Sequence, residues 1–273
     1  MVSRRVRRRR RVLTGALLLV AVLAVVLAVR GGDQRAPVAG SAPATSAPAA
    51  PVPVSAPPEV DGEGDVDVDP DPPQEAPAPP VSPDALAGVL QAEVPGSGMG
   101  RLLTVPGTRA AAPGPAGAQT LQVRVQVEEG LPADGPAVAE TVMDVLQDPR
   151  GWGPDGWAFA RTDDADGAEE PDVTVVLASP DLTDELCAPL RTGGVLSCRN
   201  GDRVVLTWYR WVHGAEGYGQ DREGYRRYLV SHEVGHVLGH GHDPCSGPGE
   251  PAPVMLQQTK GLQGCTPQPW PHP

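Results

Sequence analysis

HEVGHVLGHGH, residues 232–242, places four histidines, one glutamate and three glycines in eleven positions. On an α-helix, side chains four residues apart lie on one face, about 5–6 Å apart between Cβ atoms. His232 and His236 can therefore converge on a single metal ion. Glu233 stands about 100° around the helix from His232, near enough to touch a water on that ion without binding the ion itself. The next turn carries the chain past the ion, so a third ligand has to come from beyond the helix. Gly239 supplies the means, because a glycine tolerates the left-handed conformation that ends a helix and reverses the chain. His242 becomes the third ligand, His240 points elsewhere, and the residues around this stretch must fold so as to hold it.

Working outward, the helix is predicted to begin at Asp221 as N-cap, with Tyr225, Leu229, His232 and His236 along one face. Upstream, TLQVRVQVEE (120–129) alternates Leu121, Val123, Val125 and Val127 in the period of a half-buried strand. Residues 137–147 carry Val138, Val142, Val145 and Leu146 at helical spacing, with Pro136 suited to the first turn and Asp148-Pro149 to the end. DVTVVLAS (172–179) reads as a buried strand. Residues 195–199 and 203–208 flank Asn200-Gly201, a pair favoured in hairpin turns because both central positions accept positive φ. The order strand, helix, strand, hairpin, helix predicts an α+β domain over residues 83–273.

The N-terminal part is of another kind. Residues 1–11 carry seven arginines and no acid, and Val12–Val29 follow as a mostly apolar run closed by Arg30. This is the pattern of a membrane-targeting segment: a cytoplasmic basic stretch, then a transmembrane anchor, with a cleaved signal peptide as the alternative. The positive flank stays inside, which places the remainder outside the membrane, or in a secreted form if the segment is cleaved. Residues 30–82 are rich in Pro, Ala, Ser and Asp and bear no aromatic residue, a composition that predicts a disordered spacer. Beyond residue 30 the chain keeps 14 basic against 34 acidic residues. So acidic a surface excludes nucleic acid as a partner.

Cys187, Cys198, Cys245 and Cys265 all lie in the exported part, without any C-x-x-C spacing for a metal. Two disulfides are expected. Three pairings are open, of which proximity along the chain favours Cys187 with Cys198 and Cys245 with Cys265.

The pattern H-E-x-x-H-x-x-G-x-x-H is the signature of the metzincin zinc peptidases, which residues 232–242 resemble. RRYLVSHEVGHVLGHGHDPC and GEPAPVMLQQTKGLQGCTPQPWP are similar to stretches of a group of exported actinobacterial proteins of uncharacterised function, assigned to the metzincins by motif, and that resemblance covers about residues 90–273. The resemblance implies a zincin-like fold with a mixed twisted sheet, an active-site helix and a Met-turn. Met255, thirteen residues after His242, resembles the turn methionine beneath the zinc. A tyrosine that serves some metzincins as a further zinc ligand is replaced by Gln257, so no such ligand is expected. Asp243 resembles a buttressing aspartate of some subfamilies and reads equally well as a surface acid. No cysteine precedes Cys187, which removes a cysteine-switch form of latency.

Three neutral imidazoles leave Zn²⁺ an open position for water, as catalytic sites require. The expected activity is therefore zinc-dependent endopeptidase cleavage of proteins or peptides, with Glu233 as general base. The competing reading is a non-hydrolytic zinc-holding module that binds wall or surface partners, with Trp152, Trp157, Trp208 and Trp211 as contact residues, although these tryptophans read first as core or cleft lining. Oligomeric state is not legible in the sequence.

Overall fold

Leu121, Val123, Val125 and Val127 are all buried, as their alternation requires, within the longest strand of a six-stranded sheet. The computed structural model describes residues 81–164 and 170–273. The basic segment 1–11, the apolar run 12–29 and residues 30–80 of the expected spacer lie outside the described residues. Among the described residues, no helix is long and apolar enough to cross a membrane.

In chain order the elements are α1 (Pro83–Leu86), β1 (Leu102–Thr104), β2 (Gln119–Glu128), α2 (Gly135–Gln147), β3 (Trp157–Arg161), β4 (Val173–Ala178), α3 (Pro180–Cys187), β5 (Cys198–Asn200), β6 (Arg203–Thr207), α4 (Trp208–His213) and α5 (Arg222–Leu238). The strands run β1-β2-β4-β6-β5, and β3 pairs with the first half of β2. β2, β4 and β6 are mutually parallel, while β1 and β5 close the two ends antiparallel. The domain is thus α+β with a mixed sheet.

Each face of the sheet has its own cover. Val123, Val125, Val175, Val204 and Leu206 share one apolar core with Val142 and Met143 of α2 and with Tyr225, Leu229 and Val234 of α5. Burying each such side chain fully contributes about 1.5–3 kcal/mol. On the opposite face Val176, Ala178 and Val205 pack against Leu182 of α3 and the half-cystines of β5 and α3.

Helix boundaries follow local chemistry. The Asp134 carboxylate accepts from the Ala137 amide at 3.2 Å, Pro136 fits the first turn, and the helix stops at Asp148 before Pro149. At α5 the Asp221 carboxylate accepts from the Gly224 amide at 2.8 Å. Gly239 then takes φ 104°, the left-handed value expected of it, and ends the helix.

Several elements differ from the sequence reading. β3 escapes a search for alternation because its inward position 161 is an arginine, buried where it donates to Glu140 and to the carbonyls of Val105 and Pro106. The hairpin turn is displaced by one residue. Asn200 pairs with Arg203 as the last residue of β5, so the turn residues are Gly201 and Asp202, and of these only Gly201 has positive φ, at 65°. A glycine in the first central position suits the right-handed strand twist by itself. Trp152, Trp208 and Trp211 are buried in the core, the first of the two readings given for them, and Trp157 is half-buried against it. The indole N–H of Trp208 donates to the Glu93 carbonyl and that of Trp211 to the Ala87 carbonyl, pinning the start of the domain to α4.

The same start is tied to α5 by charge. Asp84 accepts from Arg222 at 2.8 Å and from Arg226 at 2.7 Å, and Arg226, 1% exposed, also donates to the Trp211 carbonyl at 2.7 Å. Partial burial pushes the Asp84 carboxyl up, but the Arg222 and Arg226 guanidiniums outweigh it and hold the group below its ordinary value.

Candidate metal centre

His232 and His236 leave the buried face of α5 one turn apart, with ring centroids 4.8 Å from each other. After Gly239 the chain folds back, the His240 amide donating to the Gly235 carbonyl at 3.0 Å. His242 is thereby returned to the helix. One ligand atom from each of His232, His236 and His242 lies within 4.8 Å of the others. His240 is turned away and stacks on Trp152, with centroids 4.5 Å apart. The structure brings together the three histidines that the sequence selects and leaves aside the fourth.

The donor set fits a small cation. The Nε2 atoms of His236 and His242 stand 3.1 Å apart. Two nitrogens on a tetrahedral zinc, each at about 2.0–2.1 Å from it, are separated by about 3.3 Å. Backbone carbonyls fix the ring tautomers: Val254 O lies 2.8 Å from His232 Nδ1 and His240 O lies 2.9 Å from His236 Nδ1. With Nδ1–H donating to a carbonyl, Nε2 keeps its lone pair for a metal. Burial pushes His232 down to about 4, and the neighbouring His236 and His242 add to this. Burial, His236 and Lys260 also lower His242, against the pull of Asp243. Neutral imidazole, the ligating form, is favoured at both.

Glu233 lines the same cleft and is 6% exposed. Among the described residues no donor meets its carboxylate, and burial pushes its pKa up to about 8. A carboxyl so placed in a cleft is a candidate for catalysis.

The floor of the site comes from residues 252–256. Met255, 2% exposed, lies under α5 at Gly235, where an added Cβ would come within 2.6 Å of its sulfur. Its carbonyl accepts from the Asp243 amide at 3.2 Å, while the Asp243 side chain is exposed. The Cys245–Cys265 disulfide closes the loop that contains Met255, and Cys187–Cys198 ties α3 to β5. Both favoured pairings are present. Gln257 lines the cleft outside the histidine cluster.

The resemblance to metzincins implies a peptide-binding edge strand within 194–208, and residues 196–199 do line the cleft, which has a volume of about 540 Å³; residues 190–192 and the opposite wall were not identified from the sequence. Residues 190–199 form one wall, and Gln257, Thr259 and Lys260 contribute to the other. Tyr228 was within reach, since it precedes His232 by one helical turn; its hydroxyl donates to the Leu256 carbonyl and joins helix to floor. The Val254 and His240 carbonyls carry no side-chain signal in a sequence.

The chain belongs to the DUF3152 family, described as a protein of unknown function, whose family model matches residues 90–273. No curated protein and no solved structure matches the chain.

Proposed function

For this member of the DUF3152 family we propose a zinc-dependent endopeptidase of the metzincin type, carried outside the membrane by its N-terminal segment. The observation that carries the reading is Glu233, a cleft-lining carboxylate that no donor among the described residues meets, beside three imidazoles whose ligand atoms lie within 4.8 Å of one another. Three histidines without a thiolate are the ligand set of catalytic zinc sites, and on this reading residues 252–256 act as the Met-turn of a zincin-like domain. Two disulfides accord with an oxidising compartment.

Bound at this site, Zn²⁺ supplies Lewis acidity that makes a water acidic near pH 7 and polarises an amide carbonyl. The protein's own groups do the rest. The Val254 and His240 carbonyls hold the His232 and His236 rings in place. Glu233 takes a proton from the attacking water and returns it to the amide nitrogen as the C–N bond breaks. Opposite charge next to Glu233 favours its ionised form and counters the upward push of burial. A merely structural metal site gives Glu233 no task.

The test compares the full chain, loaded with zinc, with Glu233→Ala on a peptide library. The variant is expected to keep one zinc per chain and to lose about 10²–10⁴-fold in turnover, the contribution of a positioned general base. Undiminished turnover by Glu233→Ala refutes the role of Glu233.

A further inference from the structure

Residues 81–273 carry 13 basic side chains against 25 acidic ones, so most cations should find a carboxylate. Seven of them do. Arg124 and Arg210 donate instead to backbone carbonyls. Among the described residues, the basic side chains left without an ion pair or hydrogen bond are Arg191, Arg199, Arg203 and Lys260, and three of these four line the cleft. Among the described residues that line the cleft, the single carboxylate is Glu233. An acidic domain thus gathers its unpaired positive charge around one opening.

The backbone that presents this charge is held in place. Asp184 accepts from the Thr192 amide and hydroxyl and from the Gly193 amide at 2.6–2.9 Å, and Cys187–Cys198 closes the same wall. Lys260 ends a 3-10 turn whose Gln258 is 1% exposed and bonded to Tyr218 at 2.9 Å. Like charges fixed around a cleft repel one another until an anion enters, which is how a surface selects a partner by charge. Leu190, 59% exposed, and Leu196 line the same opening, so the occupant must offer apolar groups as well as negative ones. A peptide with acidic and apolar side chains satisfies both conditions, and a bare polyanion satisfies one.

We infer that the cleft selects acidic peptides, with Arg191 and Arg199 on one wall and Lys260 on the other receiving Asp or Glu side chains around the segment presented to Glu233. The inference rests on the peptidase reading for its site. Its test reads binding, so the two can fail separately.

Two labelled decapeptides with the same apolar residues, one rich in Asp and Glu and the other with Lys in their place, are titrated by fluorescence anisotropy. The proteins are the zinc-loaded full chain and its Glu233→Gln variant. At low salt the acidic peptide should bind about tenfold more tightly, and the difference should shrink as salt rises. The triple variant Arg191→Glu, Arg199→Glu, Lys260→Glu should abolish or reverse the preference. Lys260→Glu alone should lower it about threefold, which guards against misfolding of the triple variant. Arg101→Glu, next to β1 at the opposite end of the sheet, should leave it unchanged. Equal affinity for the two peptides overturns the inference, as does a preference that survives the triple variant. Polyphosphate displacing the acidic peptide at equal charge concentration also overturns it, in favour of a general polyanion surface. A preserved preference with neither peptide cleaved by the wild type supports charge selection and sinks the peptidase reading. Cleavage of both peptides with equal affinity does the reverse.

Discussion

Gly235 lies between the two helical histidines, and there a Cβ would stand 2.6 Å from the Met255 sulfur and 2.7 Å from Trp152 Cζ2. Both neighbours are buried, so neither can yield without moving the floor of the site or the ring on which His240 stacks. Gly235→Ala is expected to cost about 1–3 kcal/mol as an overpacked core position. It should also weaken zinc binding, because Met255 and Val254 are adjacent in the chain and Val254 orients His232. Thermal unfolding and competition with a chelator would measure the two effects; wild-type values in both would show that the contact has room to relax. At this scale the three ligands were legible, since helical spacing and one glycine determine which histidines can meet. The carbonyls that orient them were not, because every residue has one.

At the scale of elements, α5 is both the platform of the site and the partner of the domain's first residues. Asp84 meets Arg222 and Arg226 across α1 and α5, and Arg226 is almost wholly buried. Without Asp84 the buried Arg226 keeps only the Trp211 carbonyl, so Asp84→Ala should cost about 1–3 kcal/mol in a denaturant titration. Asp84→Asn, which retains an acceptor, should cost less, and equal losses would mean that the acceptor alone is of no use. The folded Asp84 carboxyl sits below its ordinary value. Its contribution is therefore fully present above the unfolded pKa of about 3.9 and lost as pH falls through the lower, folded value. The acid limb of the wild-type stability curve should flatten in Asp84→Asn, and an unchanged limb would remove Asp84 as a cause of acid sensitivity. β2, α2, β4 and α5 could be read because each buries a regular apolar stripe. β3 could not, because its inward Arg161 is satisfied by partners far along the chain.

At the scale of the whole molecule, the two disulfides divide the cleft between them. Cys245–Cys265 holds the floor with Val254 and Met255, and Cys187–Cys198 holds the wall with Arg191 and Arg199. Replacing Cys245 and Cys265 by alanine should cost about 3 kcal/mol, as expected for a loop of this length, and should weaken zinc binding. Replacing Cys187 and Cys198 should spare zinc affinity and reduce peptide binding. Chelator competition on both variants checks the division, and identical effects would contradict it. Chain proximity was enough to favour both pairings. The charge of the cleft was not legible, because Arg191, Arg199 and Lys260 are scattered in sequence and only the folded chain shows that carboxylates pair elsewhere.

The most direct measurement is zinc X-ray absorption on the full chain and on His242→Ala. Three imidazole nitrogens and one oxygen at about 2.0–2.1 Å are expected in the wild type. The variant should lose one imidazole and bind zinc much more weakly. A wild-type spectrum with fewer than three imidazoles, with a sulfur ligand, or unchanged in His242→Ala would contradict the account.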